Sequence, residues 1–185
     1  RSIINLEKET GISIMKIVEK LDMGPVCNAY KIEIKNNDNL EILSEKLSIL
    51  AADKILDNID DILEDKIDFK EQNHNAASYA SKIEKLEGQI KWSENAENII
   101  GKINGLYPSP GAFFIYKGER YKILKAVTTS GRGKIGEVLD DYLEIACGND
   151  KSIKVIEIQR QGKRPQNINE FMLGSKIKKG SQLNN

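Results

Sequence analysis

The feature that most constrains this chain lies in its second half. Between Ala112 and Ile158, five short runs of mostly alternating character, AFFIY, RYKILKAV, KIGEVL, YLEIAC and SIKVIEI, are divided by KGE, TTSGRG, DD and GND. Successive side chains on a strand point to opposite faces. Short alternating runs with turn residues between them therefore read as strands that each bury one face. A series of such strands closes into a small barrel or sandwich, and an OB-like barrel is the expectation. Barrels of that kind often bind nucleic acid, but the fold alone does not assign a function. A short helix precedes the strands in SENAENIIGKINGL, with Ser93 expected as its N-cap and Gly105 near its end, before YPSPG breaks it. A second helix is expected from Asn167 to about Leu173, capped by Asn167 or Asn169, with GSKIKKGSQLNN trailing after it.

The first half is built differently. Residues 12–17 and 25–34 read as strands. In the second of them Val26, Ala29, Tyr30, Ile32 and Ile34 are mixed in phase, as in a strand covered on both faces of an α/β sheet. Then Leu40, Leu43, Leu47, Leu50, Ala51, Ile55, Ile59 and Ile62 step by three and four, so one long amphipathic helix follows, with Asn37 or Asp38 as its cap. Two strands and one helix cannot enclose a core. Residues 1–67 are therefore read as the C-terminal part of a larger α/β domain, poorly stable by itself. Residues 68–81, polar and small, read as a linker. Residues 82–185 read as a second domain that folds independently.

Composition narrows the class. Hydrophobic residues make up 39% and charged residues 30%, as in a soluble globular protein, and nothing approaches the roughly 18 consecutive apolar residues of a membrane span. The first residue is Arg1 and no signal-peptide pattern follows it, so a fragment or a processed chain is expected. Cys27 and Cys147 are far apart and belong to no CxxC, which suits reduced thiols in the cytoplasm and no metal. Net charge is zero, but it is distributed unevenly. Residues 1–81 hold 10 Lys/Arg against 16 Asp/Glu, residues 82–150 hold 10 against 10, and residues 151–185 hold 8 against 2. An acidic front and a basic end suggest two modules with different partners.

The chemistry is carried by VEKLDMGPV, residues 18–26. A single acid, Asp22, sits between two strands and beside a Gly-Pro pair. Ligands of α/β domains bind at the carboxyl ends of strands. Gly24 lets backbone approach a ligand and Pro25 stiffens the exit of the turn. Asp22 could orient a histidine or relay a proton there. The competing reading is an Asx turn in which Asp22 caps its own loop.

Three separated stretches resemble one family. ETGISIMKIVEKLDMGPV resembles the folate-dependent formyltransferases. YASKIEKLEGQIKWSENAENIIGKINGLYPSPGAFF and QRQGKRPQNINEFMLGSKIKKGSQL are similar to segments of the methionyl-tRNA formyltransferases within that family. The likeness covers essentially the whole chain, in order. It implies a Rossmann-like catalytic domain, of which residues 1–67 are the end, followed by an OB-like tRNA-binding domain. It implies formyl transfer from 10-formyltetrahydrofolate to the methionine amino group of initiator methionyl-tRNA, in translation initiation, by a monomer without a metal. It also implies a catalytic Asn, His and Asp, of which Asp22 matches the Asp, and a folate-contacting loop formed by Leu21, Asp22, Met23, Gly24 and Pro25.

The family's Asn-x-His motif has no counterpart in this chain. His74 is the only histidine and lies in the linker. The chain by itself is therefore expected to be inactive. Leu86, Lys91, Asn104 and Ser109 also depart from the family pattern. Phosphate contacts are expected from Lys82, Lys85, Arg160, Lys163, Arg164, Lys176, Lys178 and Lys179, because clustered cations release counterions on binding RNA. Trp92, Tyr107, Phe113 and Phe114 are expected to pack rather than to stack on bases. Two other functions stay open at this point. One is formyl transfer to a sugar nucleotide or another amine. The other is a non-catalytic RNA-binding module.

Overall fold

The computed structural model describes residues 1–183, and they form two compact units. One comprises Glu7–Asn36 and Glu41–Ser81. The other comprises Arg1–Leu6, Asn37–Leu40 and the chain from Lys82 onward.

The first unit is an antiparallel hairpin with a helix. Strands β1 (Glu9–Met15) and β2 (Val26–Glu33) pair from Glu9 opposite Glu33 to Met15 opposite Val26, with a register shift at Ile14/Met15. Helix α1 (Leu40–Leu63) follows, as its three-and-four periodicity requires. Strand β2 is not covered on both faces as expected from its sequence. Its residues alternate between half-buried and exposed, as on a sheet face with one covering layer. That layer is α1. The Asn58 amide donates to the Tyr30 hydroxyl at 2.8 Å and to the Lys54 carbonyl at 2.7 Å, and it accepts from the Asn28 amide. Asn58 is one of only two buried residues of α1, the other being Leu43.

The second unit holds the main core. Helix α2 (Ala96–Gly105) leads into β3 (Ala112–Tyr116), β4 (Glu119–Thr129), β5 (Glu144–Ala146), β6 (Ser152–Arg160), β7 (Gln166–Asn167) and helix α3 (Ile168–Leu173). All pairings are antiparallel, in the order β3-β4-β6-β5, with β7 on β6. Register shifts around Lys125 mark a bulge, which bends the strand and deepens its twist, so the sheet curls into a half-barrel. The strand order leaves β3 and β5 at opposite ends, unpaired with each other, so the expected OB-like barrel is seen as an open, curled sheet.

The inner face is aromatic. Trp92, fully buried, meets Phe114 edge-on at 5.7 Å, Phe114 stacks on Tyr121 at 5.3 Å, and Tyr121 meets Phe171 of α3 edge-on at 5.8 Å. These rings, with Ile99 and Ile103 of α2, belong to the core cluster.

Three local expectations change. Helix α2 is entered from Asn95, not Ser93, and its first N–H, of Ala96, donates to Asn149 Oδ1 at 3.1 Å. The cap is supplied from the GND turn, 53 residues away, and Asn149 also donates to Glu97 Oε2. KIGEVL is not a regular strand. Val138 donates to Ser181 O at 2.9 Å and accepts from Gly180 N at 2.7 Å, while Leu183 N donates to Gly136 O. The C-terminal segment therefore does not trail. It returns to this stretch and buries Ile177 and Leu183 in the core cluster. The α3 cap is as expected from the sequence, with Asn167 Oδ1 accepting from Glu170 N at 3.0 Å.

The N-terminal six residues complete this unit. Ile3 is buried, and glycines at 101 and 105 of α2 give the strap its seat. A Cβ on Gly101 would stand 3.0 Å from the Ile3 carbonyl oxygen, and one on Gly105 would stand 2.6 Å from Ile4 Cγ1. Arg1 anchors the strap through two bonds to the Glu87 carboxylate, at 2.6 and 3.0 Å, and one to the Lys82 carbonyl at 3.0 Å.

Candidate catalytic loop and basic clefts

The loop that carries Asp22 runs from Lys16 to Pro25, between β1 and β2. Its neck is closed by Lys16 N–H donating to Pro25 O at 3.0 Å. Gly24 is buried in that neck. A Cβ there would lie 1.8 Å from the Lys16 carbonyl oxygen, so the two backbone segments cross where only glycine fits. Asp22 adopts a left-handed backbone, φ +57°, a conformation that short polar side chains tolerate better than most.

Gln72 braces the loop from outside it. Its side-chain amide donates to Asp22 O at 2.9 Å and to Gly24 O at 2.7 Å. Gln72 is itself placed by a bridge between Val26 and Lys70, which exchange both backbone hydrogen bonds, at 2.8 and 2.9 Å. The Lys16 ammonium sits 4.4 Å from the centre of the Phe69 ring. The segment read as linker thus grips the Asp22 loop. Nothing in the sequence around Gln72 marks it for this, since the contact spans about 50 residues.

With its backbone carbonyl held, the Asp22 side chain is exposed, and among the described residues it makes no hydrogen bond or ion pair. No side-chain-to-backbone bond closes an Asx turn there. Ile17 and Leu21 of the same loop are 97% and 87% exposed, so the loop leaves apolar side chains uncovered as well as the carboxylate. His74 is exposed in a single turn of 3₁₀ helix.

Four of the eight expected phosphate-binding residues come together in the other unit. Arg160, Lys163, Arg164 and Lys176 line a cleft of about 310 Å³ beside α3, together with the acids Glu119 and Glu170. Glu119 pairs with Arg160 and accepts from the Tyr121 hydroxyl at 2.7 Å. Those two bonds, Tyr121's foremost, hold the Glu119 carboxyl below its usual range. Burial, aided by Glu119, pushes the Tyr121 hydroxyl up to about 12, and the Glu119 carboxylate raises Arg160 further. The remaining four, Lys82, Lys85, Lys178 and Lys179, are exposed but do not line this cleft. Arg160 also borders a second cleft of about 230 Å³ with Arg120, Lys122, Gln159, Gln161 and Gly162. Arg120 and Lys122 were missed from sequence because RYKILKAV reads first as a core strand.

Both cysteines are free. Burial pushes the Cys147 thiol up to about 12, which keeps it protonated and inert. No described helix is long and apolar enough to cross a membrane.

A curled antiparallel domain preceded by a hairpin unit is a fold that known proteins share. The family profile "Formyl transferase, C-terminal domain" matches residues 82–176, and the chain belongs to that family. Over all 185 residues it is 70% identical to the methionyl-tRNA formyltransferase of Pelagibacter ubique, of which it covers 60%. The chain thus spans about three fifths of the length of this relative. Among solved structures, HypX from Aquifex aeolicus in complex with tetrahydrofolic acid superimposes with a TM-score of 0.72 at 16% identity, over 96% of this chain and 33% of that one. The sugar 3N-formyl transferase WlaRD superimposes with a TM-score of 0.69 at 20% identity, over 88% and 59%. Both are likenesses of fold alone.

Proposed function

We propose that this chain supplies the Asp22 loop and the C-terminal domain of a methionyl-tRNA formyltransferase, which moves a formyl group from 10-formyltetrahydrofolate to the amino group of initiator methionyl-tRNA in the cytoplasm. The observation that carries this reading is the 70% identity along the entire chain, Asp22 loop and basic end included, to a protein of that name. Residues 1–67 are then the end of a Rossmann-like catalytic domain, and the half-barrel is the tRNA-binding domain.

The loop fits a flat heterocyclic donor. Ile17 and Leu21 offer exposed apolar surface in the loop that carries Asp22, and Gln72 bonds the backbone carbonyls of Asp22 and Gly24. When bound, the folate supplies an activated formyl carbonyl for the amine to attack. Asp22, solvated and without a side-chain partner among the described residues, is free to hold an imidazole in position or to take up the proton that the amine must lose. Its backbone is held while its carboxylate is left uncommitted, a division that suits a residue whose side chain serves a substrate.

The basic residues Arg160, Lys163, Arg164 and Lys176 of the cleft, together with the exposed Lys82, Lys85, Lys178 and Lys179 outside it, hold the RNA backbone as point charges and forks for phosphate. The likeness of fold to a sugar formyltransferase keeps a nucleotide-sugar amine as the second reading. A competition assay separates the two. With labelled 10-formyltetrahydrofolate and equal amounts of initiator methionyl-tRNA and an amino-sugar nucleotide, the full-length enzyme should place the label on tRNA. Label on the sugar would overturn the reading.

A further inference from the structure

The two faces of the half-barrel carry different chemistry around Arg160. On the inner side Tyr121 lies opposite Arg160 in the β4–β6 register, and Glu119 neutralises that arginine. Arg120 and Lys122 alternate with Tyr121, so they project from the other face of β4, where Lys122 lies opposite both Phe113 of β3 and Gln159 of β6.

On that outer face the cations are unmatched. The Arg120 guanidinium carbon lies 3.6 Å from the centre of the buried Phe113 ring, so the cation is seated on the ring face. Its Nε is buried and has no hydrogen-bond partner among the described residues. Among the described residues neither Arg120 nor Lys122 forms an ion pair. A buried donor without a partner costs free energy, and more so when it carries charge. The cleft these residues line contains no acid, whereas the neighbouring one contains two.

The far wall of the cleft is a tight turn. Gln161 N–H donates to the Arg120 carbonyl and Lys163 N–H to the Arg160 carbonyl, each at 3.0 Å, which fixes the turn to the start of β4. At its apex Gly162 has φ +71°, and a Cβ there would meet nothing within 4 Å, so the backbone can be approached closely.

We propose that this cleft, between the stacked Arg120, Lys122 and the 159–162 turn, is a phosphate site that takes one oxyanion of an RNA backbone. A planar fork matches two phosphate oxygens, and the Lys122 ammonium adds a point charge beside it. The choice of RNA rather than free phosphate as the source rests on the tRNA reading above. The cleft itself does not.

The test uses the intact chain and two probes. Binding of initiator tRNA is measured from about 50 to 200 mM salt for the wild type, Arg120→Leu and Lys122→Met. Each substitution should weaken binding about five- to tenfold at the low end and reduce the log–log salt slope by about one. Lys122→Met leaves the Phe113 stack intact and so guards against a folding defect in Arg120→Leu. In parallel, the Arg120 Nε–H resonance is followed while inorganic phosphate is added at constant ionic strength.

Shallower slopes in both variants establish the backbone phosphate. A saturable shift of the Nε–H with inorganic phosphate, with tRNA binding indifferent to both variants, keeps the phosphate site and assigns it to the free ion. Unchanged slopes with an unmoved Nε–H overturn the site. If wild type binds no tRNA, the tRNA reading fails, and the inorganic phosphate titration alone decides whether the site exists.

Discussion

Gly24 and Lys16 meet backbone to backbone. A methyl group on Gly24 would stand 1.8 Å from the Lys16 carbonyl oxygen, and 2.9 Å from its carbonyl carbon. Since the obstacle is main chain, no side-chain rotation can relieve it. Gly24→Ala should therefore open the neck of the loop. The Lys16 amide, which donates to Pro25 O, reports this directly. Its hydrogen exchange should quicken by at least about tenfold, while amides of β6 keep their protection.

The Asn58 amide is the polar joint between α1 and β2. Asn58→Ala removes its bonds to Tyr30 and Asn28 together and leaves both without that partner under the helix. The expected loss is about 1–3 kcal/mol in the unfolding of the hairpin unit. Asn58→Leu should do no better, since the stranded hydroxyl and amide remain. Denaturant titration with Tyr30 replaced by Phe in the same background tests the account, because the double variant should recover part of the loss.

Acid should loosen the N-terminal strap. The Arg1 guanidinium, with the Glu84 backbone N–H, pulls the Glu87 carboxyl down to about 2 from an ordinary value of 4.5. A depressed acid stabilises the folded arrangement above its unfolded pKa and loses that contribution as pH falls through the folded one. The window is thus from about pH 4.5 down to about 2. Chemical shifts of the Asn5 and Leu6 amides, whose bonds to Arg1 O and Ile3 O shape the strap, should move across that window. In Glu87→Gln the movement should be absent. Because the pair is exposed, added salt should weaken it at neutral pH.

These residues also mark what could be read from the sequence alone. Helix α1, the Asn167 cap of α3, and four of the five short strands follow from periodicity and capping, which act over a few residues. KIGEVL is held by isolated bridges on both edges, to residues 144–146 nearby and to residues 180–183, and the second partner has no local signal because it returns from more than 40 positions away. The Ser93 cap failed for the same reason, as Asn149 reaches the helix start through tertiary structure. In the loop, Gly24 was legible because a Gly-Pro pair beside an acid implies close backbone approach. Gln72 was not, because a glutamine in a polar stretch carries no local signal of the loop it will brace. Of the two basic clefts, one was legible and the other was not. Charge density near the C-terminus pointed to Arg160, Lys163, Arg164 and Lys176, while Arg120 and Lys122 were hidden by their place in an apolar strand.

The most direct measurement of the central claim is formyl transfer by the full-length enzyme with Asp22→Asn, from 10-formyltetrahydrofolate to initiator methionyl-tRNA. Asparagine preserves the size of the side chain and the left-handed turn, and the Gln72 bonds go to backbone carbonyls, so the loop should keep its shape. A fall in kcat of at least about a hundredfold is expected, with the KM for tRNA little changed. A kcat within about twofold of wild type would contradict it, and would leave Asp22 as a turn residue rather than the carboxylate of a catalytic site.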